Sequence, residues 1–286
     1  MGELERRTFL GAAGLGAVAA MAKAGGPGPL NPPVGAVAPS GPTLDDIYNA
    51  LPPAPIGAFD GCTSIAGNSS NQVINTPGSY VLIGNLPVSF IPAPPSFTGI
   101  TIACDNVTLD LNGFAITGQS AAGGTGVRVN NNAKNVVIRN GHFSGLTRAI
   151  YVEAGCSDIL LEDLVTQYGF INSLYCVGNG VIVRRCACLQ VRSPPAPGMP
   201  LYLQGNGCTI EECLVSGFDP SPNAYIGIFL SGNGGIVRRC TVTNSASVSG
   251  VGIAMSGQIA YRENTVINFT NKYSTTNGAG SGGGNV

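Results

Sequence analysis

The chain has 286 residues, only 10% of them charged, with 42 glycines, 20 prolines, one histidine, no tryptophan and a net charge of -1. So little charge with so much Gly and Pro is not the composition of a helical protein. The arginines come largely in pairs matched by acids rather than in a basic stripe, which argues against nucleic acid as a partner.

Residues 1–24 read as a signal peptide of the twin-arginine type. Arg6-Arg7-Thr8-Phe9-Leu10 precedes an uncharged run from Gly11 to Ala22, and small residues offer A-x-A cleavage sites ending at Ala22 or Ala24. Gly11 stands where that motif often carries lysine, so an ordinary secretory signal is the alternative. The run is too short and too rich in Gly and Ala to cross a bilayer. The mature chain is therefore expected outside the cytoplasm, in the periplasm, on the cell surface or secreted, with no membrane span.

Residues 25–42 are Gly, Pro, Ala and Val without periodicity, the composition of a disordered tether. Residues 43–72 are expected to form an N-terminal cap. In it Thr43 starts a short helix through Leu44-Asp45-Asp46-Ile47-Tyr48, ended by Pro52-Pro53. The Gly-rich residues 271–286 are expected to be a flexible tail.

Between these ends the chain repeats itself. Val107-Thr-Leu109-Asp110, Val136-Val-Ile138-Arg139, Ile159-Leu-Leu161-Glu162, Val181-Ile-Val183-Arg184, Cys208-Thr-Ile210-Glu211, Ile236-Val237-Arg238 and Ile259-Ala-Tyr261-Arg262 align at steps of 29, 23, 22, 27, 27 and 24 residues. Short β-branched runs at such a period, separated by Gly/Asn turns, mark a β-solenoid. Each step holds a second short strand, such as Ile150 to Val152, Leu201 to Leu203 or Ile228 to Leu230. Strands recurring in one direction stack in parallel, with right-handed crossovers. The expected fold is all-β, a single-stranded right-handed parallel β-helix of about 7 to 8 coils over residues 73–270.

Gly-Ile-x-Leu, a Gly/Asn turn, and then hydrophobic-x-hydrophobic-x-x-Cys-x-Val resembles the repeat of the pectin-lyase-like right-handed β-helix superfamily. The segments Pro77-Gly78-Ser79-Tyr80-Val81-Leu82 and Asn106-Val107-Thr108-Leu109-Asp110-Leu111-Asn112-Gly113-Phe114 resemble the first coils of its exported bacterial members. The resemblance implies the fold. It leaves activity open, because that superfamily includes lyases, hydrolases, epimerases and noncatalytic proteins.

Equivalent positions in successive coils stack about 4.8 Å apart, so a column of the repeat is a row on the solenoid. One column reads Asp110, Arg139, Glu162, Arg184, Glu211, Arg238, Arg262, and the next includes Asp163, Arg185, Glu212, Arg239, Glu263. Alternating sign makes these a structural charge ladder rather than a catalytic face. Acids of one column lie about 9 to 10 Å apart with an arginine between, too far for Ca²⁺ ligation or a glycosidase carboxylate pair. No metal or cofactor is expected. A second column, Cys186, Cys213 and Cys240, reads as a stack of buried core thiols or as one vertical disulfide. The chain's nine cysteines are odd in number, so at least one is unpaired within it.

The column with most bearing on function is Arg128, Tyr151, Tyr175, Tyr202, Phe229. Flanking aliphatics point inward, so period 2 turns the aromatics outward into a stripe about 14 Å long. Sugar rings stack on such aromatic faces, making a polysaccharide or cell-surface glycan the expected partner. Cover by another segment and self-association are the alternatives. His142 reads as a surface or turn residue. A noncatalytic glycan-binding or cell-surface protein is the first reading; a polysaccharide lyase, hydrolase or epimerase using Arg128, Arg148, Arg184 or Arg238 is the alternative.

Overall fold

The computed structural model describes residues 61–67, 70–88, 97–118, 124–169, 172–191, 198–219 and 224–286. The export signal with Arg6 and Arg7, the tether and the capping helix lie outside these residues. Regular structure among the described residues is all β-strand, from Cys62–Ile65 to Gly280–Ser281. It forms a right-handed parallel β-solenoid of about 7 turns.

Each coil contributes to three parallel sheets. Sheet I stacks Val107–Asp110 on the start of Lys134–Ser144, then on residues 157–162, Ile182–Arg184, Thr209–Glu211, Gly235–Arg238 and Ile259–Arg262. Sheet II carries Thr125–Val129, residues 148–152, 174–177, Leu201–Gln204, Tyr225–Ser231 and 250–256. Sheet III, built from Ala115–Gly118, residues 142–144 and 164–167, Ala187–Leu189, Leu214–Ser216 and 241–243, is a third strand per coil where the sequence pattern indicates two.

The turn between sheets I and III hides it. That turn is made by single residues in the left-handed region: Asn140, Asp163, Arg185, Glu212, Arg239 and Glu263, with φ between 51° and 59°. Most are charged rather than glycine, so composition gives no punctuation there. Between sheets II and I the coils close on a glycine column. A Cβ on Gly205 would stand 1.8 Å from the Gly178 carbonyl oxygen, and one on Gly232 would stand 2.0 Å from that of Gly205. Beside it Asn179 and Asn206 accept the backbone N–H of Asn206 and Asn233 at 2.9 Å, a ladder climbing the coils.

The core is aliphatic. Ile150, Leu174, Leu201, Ile228 and Ile253 form one fully buried column, and Val152, Cys176, Leu203, Leu230 and Met255 another.

Both ends of the solenoid differ from expectation. Cys62–Ile65 already pairs with Gly78–Leu82, so the first coil starts inside the segment expected to be the cap. Residues 271–286 are not a free tail. The strand Thr265–Thr276 pairs through Tyr273 and Thr276, Gly280–Ser281 adds to sheet I, and Val286 exchanges backbone bonds with Asn264 and Val266. Asn264, fully buried, donates to Asn285 at 3.1 Å, which ties down a stretch whose composition alone reads as linker.

The charge columns stack in register and close into pairs. Arg139 reaches Asp110, Arg184 reaches Glu162 and Arg238 reaches Glu211, while in the turn column Arg185 binds Asp163 and Arg239 binds Glu212. Arg185 also reaches Glu162 at 3.0 Å. Arg262 stacks beneath Arg238 with no ion pair among the described residues. Glu162 is 10% exposed and Glu212 43%. Glu162→Gln is therefore expected to lower stability by about 1–2 kcal/mol in denaturant unfolding, and Glu212→Gln by less than about 0.5 kcal/mol.

Hydrogen bonding to Arg185 holds the Asp163 carboxyl below the usual carboxylate range, against an opposing effect of burial. A depressed folded pKa gives stability that is present above the unfolded value, about 4, and is lost as pH falls through the folded one. Asp163→Asn should accordingly flatten the stability loss measured in acid below about pH 4.

Candidate functional site

Sheet II brings together the residues the sequence singles out for function. Arg128, Tyr151, Tyr175, Tyr202 and Phe229 stand in one register column, all half-buried, continuing to Ala254. Alternation with the buried aliphatic pairs turns them outward, as period 2 requires.

The presentation of the rings differs from a flat platform. Tyr175 and Tyr202 stack with centroids 4.6 Å apart and planes 6° apart, and Tyr202 and Phe229 stack at 5.0 Å and 18°. Tyr151 meets Tyr175 edge-on at 5.5 Å. Coil spacing nearly equals the stacking distance of aromatic rings, so Tyr175, Tyr202 and Phe229 cover one another's faces and turn their edges outward, with hydroxyls on the two tyrosines. A sugar laid along this column meets phenol oxygens and C–H edges instead of ring faces. Tyr202 Oη donates to Gln204 Oε1 at 2.8 Å, and burial followed by the neighbouring Tyr175 raises its pKa above the ordinary value.

The charge lies at one end of the stack. Arg128 forms an ion pair with Glu153, and its Nε donates to Glu153 Oε1 at 2.8 Å. Asn131 N–H donates to Glu153 Oε2 at 3.0 Å, which leaves this buried carboxylate held from two directions. The Arg148 guanidinium lies over Tyr151 at 4.9 Å and Tyr175 at 5.1 Å from the ring centroids. Its Nε is buried and has no hydrogen-bond partner.

Arg184 and Arg238, the other two candidate cations, belong to sheet I and are occupied by Glu162 and Glu211. His142 is exposed on sheet III, opposite Ala115 and Val165. Glu153 and Gln204 were not singled out by sequence. Glu153 does follow Tyr151 by two residues, which places it on the same outward face, but acids do not recur in its column.

Coil length varies at one corner. The connection from sheet III to sheet II is residues 145–147 in one coil and 190–200 in another, whereas the turn between sheets I and III has a single left-handed residue in each coil from Asn140 to Glu263. This corner borders the starts of the sheet II strands, where Arg148 sits. Insertions confined to one edge of a solenoid commonly border its binding face.

All nine cysteines are free, so Cys186, Cys213 and Cys240 form a thiol stack and no vertical disulfide. Each is at most 2% exposed, and each Sγ donates to the carbonyl two residues earlier at 3.3 to 3.4 Å. Hydrogen bonding with Cys186 raises the Cys213 pKa, and hydrogen bonding with Cys213 followed by burial raises that of Cys240. Burial pushes the Cys188 thiol up to about 11. Among the described residues no group of three or more His, Cys, Asp or Glu side chains could hold a metal ion, and no helix is long and apolar enough to cross a membrane.

No protein-family model and no curated protein sequence matches the chain. Among solved structures it is similar to the catalytic domain of a GH87 alpha-1,3-glucanase in complex with tetrasaccharides, at 12% identity and a TM-score of 0.37, over 79% of this chain and 64% of that one. It is also similar to the Yersinia enterocolitica family 28 exopolygalacturonase, at 9% identity and a TM-score of 0.34, over 71% of this chain and 46% of that one. The chain thus spans less than two thirds of the length of either structure.

Buried thiols with raised pKa values are poor nucleophiles. Thiol labelling of the folded chain should reach at most Cys62 and Cys104, the two partly exposed cysteines, and labelling after denaturation without reductant should reach all nine.

Proposed function

We propose that this is an exported β-helix protein that binds polysaccharide along sheet II without cleaving it. The observation that carries the reading is the outward column Tyr151, Tyr175, Tyr202 and Phe229, in register over successive coils with ring edges and phenol oxygens toward solvent. A polymer of sugar hydroxyls is a repeating hydrogen-bonding partner, and the three tyrosines of this column are a row of phenol donors and acceptors. Arg6-Arg7 and the apolar run after them support an address outside the cytoplasm, where such polymers are found.

The enzymatic reading has one observation of its own. Glu153, buried at the end of the same face and paired with Arg128, is a carboxylate beside a cation, and proton abstraction from a glycan wants a base and a cation together. Hydrolysis fits less well, because Glu153 has no second carboxylate on this face among the described residues.

The mature chain incubated with neutral and acidic polysaccharides, with and without Ca²⁺, tests both readings. Retention without new chain ends is expected, and Tyr175→Phe plus Tyr202→Phe, which keeps the ring stack and removes two outward hydroxyls, should weaken it roughly tenfold. Retention unchanged in that double variant sinks the tyrosine face as the binding surface. New chain ends lost in Glu153→Gln would establish the enzyme instead.

A further inference from the structure

Arginines on the solenoid are neutralised in a regular way. Arg128, Arg139, Arg184, Arg185, Arg238 and Arg239 each engage a carboxylate. Arg148 engages none among the described residues. Its guanidinium rests instead on Tyr151 and Tyr175, and its Nε is shielded from solvent without an acceptor.

Cation–π contact satisfies the charge of a guanidinium but none of its N–H groups, which lie in the guanidinium's own plane and point sideways from the contact. A desolvated donor without an acceptor is unfavourable, and folded proteins rarely leave one unmatched. The adjacent Arg128 and Glu153 cancel each other, so the end of the tyrosine face carries one net positive charge, located at Arg148. The planar fork of a stacked guanidinium matches two oxygens of a carboxylate or sulfate. Its place at the corner where coil length varies is a second sign of a binding edge.

We propose that Arg148 is an anion-binding subsite, taking a carboxylate or sulfate group carried on a glycan that lies along the tyrosine face. The proposal rests on the glycan reading of sheet II and adds to it a preference for charged over neutral polymers.

The test has a direct arm and a polymer arm. The ¹⁵N–¹H resonances of arginine Nε groups are followed in the folded chain during titration with sodium glucuronate, sodium sulfate and neutral glucose. The Arg148 signal is expected to shift saturably with both anions and not with glucose, while the Arg262 signal stays in place. An Arg148 signal that does not move, or that moves only in parallel with Arg262, overturns the subsite. In the polymer arm, Arg148→Gln should lose about tenfold in affinity for a carboxylated polysaccharide and leave a neutral one unaffected, with Arg148→Lys between. Equal loss for both polymers also overturns it. A chain whose Arg148 signal responds to anions but which retains no polysaccharide keeps the anion site and loses the glycan reading. The reverse result loses the anion site alone.

Discussion

Parallel hydrogen bonding from one coil to the next fixes the vertical spacing near 4.8 Å, and the chemistry of this molecule follows from that repeat. A side chain has a neighbour above and below whose distance it cannot choose. Charged residues answer by pairing. The acid of one coil takes the arginine of the next, as Glu162 takes Arg184 and Glu211 takes Arg238, so most of the arginines of sheet I are neutralised within the fold. Amides answer by forming the Asn179, Asn206 and Asn233 ladder, and thiols by stacking in the dry interior. Aromatic rings answer by lying face to face, since the coil spacing is close to their own stacking distance.

The repeat makes much of this legible in the amino-acid sequence. A hydrophobic anchor followed by a charge recurs at steps of 22 to 29 residues, and aligning those anchors gives the register found in sheet I. The aromatic column was legible for the same reason, because a middle residue between two aliphatics recurs from coil to coil. What escaped was whatever does not recur or carries no punctuation. Sheet III follows a turn of one left-handed residue, and Arg185, Glu212 and Arg239 there look like ordinary strand residues in a sequence. The final stretch reads as linker because composition cannot register that Val286 and Asn285 close the last coil against Asn264.

The site itself was half legible. Its tyrosines come from periodicity, but the direction of their faces is a consequence of coil spacing and ring geometry together. That difference matters chemically: ring faces would offer sugars an apolar floor, whereas ring edges offer hydroxyls. Recognition along this face then depends on polar matching, and polar matching is directional.

Directionality gives Arg148 its weight. On a solenoid that pairs most of its arginines coil by coil, the departures from pairing are where free energy remains for a ligand. Arg262 departs at the last rungs of sheet I, where the alternation ends on two arginines and Gly282 packs against it. Arg148 departs in the middle of the solenoid, at the start of a sheet II strand, with its guanidinium over two rings and its Nε shielded from water. A cation held against two rings is already oriented before an anion arrives, so little ordering remains for the ligand to drive. The coil-by-coil pairing that neutralises most of the arginines is what sets Arg148 apart on sheet II.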